Sequence, residues 1–98
     1  MHQLSNLIKG KVSAVDTAGR LISDIELEKV ADIPHDESLT VNFGDHATVG
    51  LFAADHEHPT GTMVASLGKS GFVEIEIVDI NLSEMLGVKE GESISLKW

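Results

Sequence analysis

The chain of 98 residues contains no cysteine. That absence excludes disulfides, thiolate metal sites and cysteine nucleophiles together, and it suits a reducing, cytoplasmic setting. Basic residues are scarce: seven lysines and arginines against sixteen acids give a formal net charge of −9. An acidic chain repels phosphate backbones, and Lys9 with Lys11 is the nearest approach to a basic patch, so nucleic acid is not an expected partner. No run approaches the ~20 apolar residues of a membrane span. The opening MHQLSNLIKGKV lacks the apolar core of a secretory signal. No membrane contact is expected, and a cytoplasmic location is the reading. Repeats, linkers and low-complexity segments are missing too, so residues 1–98 read as a single domain near the lower end of the usual size range.

What is present alternates with a period of two. LTVNF sets Leu39, Val41 and Phe43 on one face. HATVGLF sets Ala47, Val49 and Leu51 on one face, with His46, Thr48 and Phe52 on the other. FVEIEIV turns Val73, Ile75 and Ile77 one way and Glu74 and Glu76 towards water, and SISLKW points Ile94, Leu96 and Trp98 inward. Strands with one buried face are typical of antiparallel sheets. IKGKVSAVD and RLISDI, joined by the turn TAGR, and TMVASL bring the expected total to seven. One helix is signalled: in NLSEMLGV, Asn81 is the N-cap with Glu84 three residues on, Leu82, Met85 and Leu86 share a face, and Gly87 closes the C-terminus. ELEKV reads as a short helical turn before the Pro34 loop. The fold class is mainly β: a small antiparallel β-barrel of about seven strands with one short helix near the C-terminus. Closure of the sheet would remove its exposed edges.

Few residues invite chemistry. AADHEHPTGT places Asp55, His56, Glu57 and His58 in a row, with Asp45 and His46 upstream. In an extended segment His56 and His58 share a face, and imidazole is a common zinc ligand. The spacing matches no established zinc pattern, however, and Pro59 and Gly61 are turn residues. A solvated loop is the favoured reading, with no metal, and a His56–His58 metal site is the alternative. Ser70, in GKSGF, has neither the spacing of a nucleophile turn nor a helix behind it, and LGKSG is too short for a phosphate loop. No catalytic residue is expected. Glu74 and Glu76 read as the solvated face of a strand. Arg20, in a turn, is a candidate anion holder or a solvated arginine. Phe52 is an exposed binding platform or subunit contact, or the start of a bulge that turns it inward.

The order of these segments resembles a known domain. GKVSAVDTAGRLISDI is similar to a family pattern G-x-V-x-x-V-D-x-F-G-N-L-x-T-(N/D)-I, and PTGTMVASLGKSGFVEIEIVDINLSEMLGVKEGESISL is similar to the closing segment of the same pattern. The family is the C-terminal barrel domain of the S-adenosylmethionine hydroxide adenosyltransferases and the related fluorinating and chlorinating enzymes. The resemblance covers about residues 10 to 97. It implies a barrel that grips adenine, while a larger N-terminal domain of the family supplies the reacting residues. The family's base-contacting asparagine falls at Arg20 and its phenylalanine at Ala18. An asparagine–serine pair falls at Gly68 and Lys69, with Ser70 and Gly71 completing that turn. An alanine–valine–asparagine run falls at Glu76, Ile77 and Val78, and a substrate-facing aromatic at Phe52, followed here by the extra residues ADHEH.

Scaffold positions such as Gly10, Asp16, Gly61, Leu86 and Gly91 match, whereas the base-reading polar positions are changed. Each lost polar partner costs ~1–3 kcal/mol. The resemblance therefore implies a stand-alone, non-catalytic binding or interaction module. It would hold a nucleoside-like ligand at Arg20, Phe52, Lys69 and Ser70, take no cofactor, and partner with itself or another protein. The alternative is one subunit of a split adenosyltransferase, completed by a chain carrying the N-terminal half.

Overall fold

A computed structural model describes residues 6–98. Met1 to Ser5, part of the stretch read above for a signal core, lie outside the described residues. Eight strands form one sheet: β1 (Leu7–Val15), β2 (Leu21–Glu26), β3 (Thr40–Phe43), β4 (His46–Val49), β5 (Phe52–Ala53), β6 (Met63–Leu67), β7 (Phe72–Ile77) and β8 (Ser93–Lys97). Their spatial order is β4-β3-β8-β1-β2-β7-β6-β5. The sheet curls into a half-barrel, and its two flanks meet where the Thr48 hydroxyl donates to the Met63 carbonyl at 3.2 Å.

Alternation sets the core. Leu39, Val41, Phe43, Val73, Ile75 and Leu96 have no exposed surface, with Ile94 at 1%. Burial of such side chains contributes about 1.5–3 kcal/mol each, which explains why the period-two pattern specifies the strands. The short helix α1 (Leu82–Leu86) is capped as expected: Asn81 Oδ1 accepts the Glu84 N–H at 2.9 Å, and Gly87 closes it in the left-handed conformation. Leu82 is buried beneath it, whereas Met85, expected on the same face, is exposed. ELEKV forms a 3-10 turn over Leu27–Val30.

Two expectations for residues 46–52 are corrected. The run is two strands rather than one, because Gly50, at φ +85°, breaks the extended path. Gly50 N–H then bonds the Leu39 carbonyl at 2.8 Å and Leu51 N–H bonds the His35 carbonyl at 2.9 Å. The chain crosses to the far flank, and Phe52–Ala53 pairs parallel with Ser66–Leu67, in a sheet otherwise antiparallel. Of the three residues placed on one face, only Leu51 is buried; Ala47 and Val49 lie exposed on the edge strand β4.

Candidate functional site

Cross-strand register builds the site. Leu21 pairs with Ile75 and Ile22 with Glu74, so Arg20, one residue before β2, stands level with Glu76 on β7. The turn that delivers Arg20 is tied by Asp16, whose Oδ1 accepts the Ala18 N–H at 3.0 Å and the Arg20 N–H at 2.9 Å. The Arg20 guanidinium then reaches both β7 carboxylates: Nη1 lies 3.5 Å from Glu74 Oε1 and Nη2 lies 3.4 Å from Glu76 Oε1. Its Nε is buried without a hydrogen-bond partner.

The solvated reading of Glu74 and Glu76 is thereby corrected. Glu74 is only 5% exposed, and Glu76 is half-buried. Strand β7 lies inside the sheet between β2 and β6, and its second face is covered. Gly68 supplies part of the cover: a Cβ built there would overlap the Glu74 carboxylate. The Ser70 N–H donates to Glu74 Oε2 at 3.2 Å. The loop after β5 supplies the rest. His56 Nε2 sits 2.8 Å from Glu76 Oε2, and His56 Nδ1 sits 3.0 Å from His58 Nδ1. The His58 ring meets Phe52 edge-on, with centroids 4.6 Å apart. The loop is exposed at Asp55, Glu57 and Pro59, as the solvated reading expects, but its His56 side chain folds back over β7 and is only 8% exposed.

Two concavities flank the Arg20–Glu76 pair. The larger, of about 340 Å³, is lined by Ala18, Arg20, Glu76 and the segment Ile77–Asn81. The smaller, of about 110 Å³, is lined by Arg20, Ala54, Ser66, Lys69, Glu74 and Glu76. Arg20 and Lys69 thus share a cleft. Phe52 stands outside both linings and connects to Glu76 through His58 and His56. The Ser70 hydroxyl is turned back to accept the Phe72 N–H at 3.4 Å and faces neither cleft. Among the described residues no three His, Asp or Glu side chains are grouped to hold a metal. No described helix is long and apolar enough to cross a membrane. Glu74 and Glu76 were missed as site residues from sequence, and His56 was named only as an alternative metal ligand, not as a partner of Glu76; the available signal was a Glu-x-Glu pair on a strand that pairs with a β2 entered through a single arginine.

Comparison with known proteins bears on the fold and the family. An uncharacterized conserved protein from Thermotoga maritima is similar at 26% identity and a TM-score of 0.73, over 90% of this chain and 35% of that one. A conserved hypothetical protein from Thermus thermophilus is similar at 27% identity and a TM-score of 0.69, over 90% of this chain and 34% of that one. The chain spans about a third of the length of each. No curated protein matches. Residues 10–95 match the family described as the SAM hydroxide adenosyltransferase C-terminal domain, and the chain belongs to that family.

Proposed function

We propose that this chain is a non-catalytic binding module that takes a nucleoside-like ligand in the larger cleft. The observation that carries it is the position of Arg20 and Glu76, which stand side by side and line both concavities. A cleft of about 340 Å³ falls in the range of ligand pockets, about 300–1,000 Å³. Its polar edge combines guanidinium donors with a carboxylate that, when ionised, only accepts hydrogen bonds. Ala18, Ile77, Val78 and Ile80 supply apolar flank. A flat base with an exocyclic amino group suits that lining: the amine donates to Glu76 and a ring nitrogen accepts from Arg20. A base with a carbonyl at the same position would set oxygen against carboxylate.

Titration of the labelled chain with adenosine and with inosine, followed by amide NMR, tests the reading. Adenosine is expected to shift Arg20 and the Glu76–Asn81 amides, and inosine to bind roughly tenfold or more weakly. No shift at millimolar adenosine would end it. Incubated with S-adenosylmethionine, the chain by itself is expected to leave the compound intact.

A second reading rests on the family match over residues 10–95. In that reading the domain belongs to a split adenosyltransferase completed by residues carried elsewhere. Consumption of S-adenosylmethionine by a co-purifying complex, and not by this chain, would support it over the first.

A further inference from the structure

We propose that His56 and His58 form a two-imidazole site for a divalent transition metal, zinc being the probe of choice, with Glu76 fixing the tautomer of the inner ring.

An ionised carboxylate can only accept, so the 2.8 Å contact with Glu76 Oε2 requires a proton on His56 Nε2. In the neutral ring that leaves Nδ1 with a free lone pair. Nδ1 faces His58 Nδ1 at 3.0 Å. With His56 neutral, the proton that joins them is carried by His58 Nδ1. A metal ion replaces that proton, and His58 keeps its neutral charge by carrying the proton on Nε2 instead. Two nitrogens each about 2.0–2.1 Å from zinc stand about 3.3–3.4 Å apart at the tetrahedral angle. The observed separation needs to open by only a few tenths of an ångström.

The surroundings are those of a metal-binding histidine. A ligating ring almost always donates its other N–H to a carboxylate or carbonyl, which orients it and raises its basicity. Glu76 does this for His56 and is itself held by Arg20 at 3.4 Å. The 8% exposure of the His56 side chain and the edge of Phe52 against His58 restrict both rings. No third described side chain completes the set, so water, or a donor atom of a molecule in the adjacent cleft, takes the remaining positions. Imidazole suits zinc, copper and nickel, whereas magnesium and calcium prefer oxygen.

The test is calorimetric titration of the full chain with zinc chloride, with NMR of the imidazole nitrogens alongside. One site of micromolar affinity is expected, with the Nδ1 signals of both His56 and His58 shifting together. His58→Ala should weaken binding roughly tenfold or more, since one of two protein donors is gone; its circular dichroism should be unchanged. Glu76→Gln should weaken it about 10–100-fold, the usual effect of losing such an orienting partner. No heat up to roughly 1 mM zinc, or binding that survives intact in His58→Ala, would overturn the site. Adenosine binding in the larger cleft is scored separately and does not depend on His58.

Discussion

The carboxylate of Glu74 lies directly over Gly68, in the space that any side chain at that position would occupy. The Ser70 amide in the same β6–β7 turn donates to that carboxylate at 3.2 Å. Gly68→Ala should push the carboxylate off its partners and destabilise the fold by about 1–3 kcal/mol, the usual cost of overpacking. The clash is with the Glu74 side chain, so a Gly68→Ala/Glu74→Ala double variant should be more stable than the sum of the single losses predicts. Urea denaturation of the four proteins measures the coupling; strict additivity would place the cost elsewhere.

Arg20 stands between two carboxylates that share one face of β7, at 3.5 Å and 3.4 Å. Its removal leaves two like charges together, one of them buried. Losing a partner of a fully buried pair costs several kcal/mol, but the Arg20 side chain is 39% exposed, so the loss for Arg20→Ala is expected at about 1–2 kcal/mol. Arg20→Lys keeps the charge without the planar fork and should recover part of that. Both follow from urea midpoints, and an unchanged midpoint in Arg20→Ala would mean that the guanidinium does not hold the pair.

Asn81 is both the cap of α1 and a wall of the larger cleft. Asn81→Ala should cost about 1 kcal/mol through the lost cap, whereas Asn81→Asp, which still accepts the Glu84 N–H, should cost close to nothing. Equal losses in the two variants would show that the amide is needed for packing against the Asp16–Arg20 turn rather than for capping.

The strands were legible because one face of the sheet is buried: Val73, Ile75 and Ile77, or Leu39, Val41 and Phe43, cannot alternate by chance along every segment and leave another period visible. The Asn81 cap was legible because its donor is three residues away. The site was not. Alternation reveals two faces of β7 but not whether the second is covered, so Glu74 and Glu76 read as solvated until the His56 loop and the Gly68 turn are seen above them. Those contacts span 20 residues for His56 and Glu76 and 56 for Arg20 and Glu76. No local pattern encodes separations of that kind. Gly50 did not reveal the break for a related reason, since a glycine inside an alternating run fits a bulge or a break equally well.

Asp36 offers a pH test remote from the site. Its Oδ1 accepts the Ser38 hydroxyl at 2.6 Å and the Ser38 N–H at 2.9 Å. The hydroxyl bond is the larger influence and the amide the next, and together they hold the carboxyl below its ordinary 3.8. The sign follows from proton counting. Near that pH the unfolded chain binds more protons than the folded one, so stability rises with pH there. The contribution is complete above the unfolded value and disappears as pH falls through the lower folded value. Ser38→Ala removes the hydroxyl but keeps the amide, so the Asp36 carboxyl, followed by NMR through an acid titration, should move upward towards its ordinary value without fully reaching it. A midpoint identical in the two proteins would mean that the hydroxyl bond does not persist in solution.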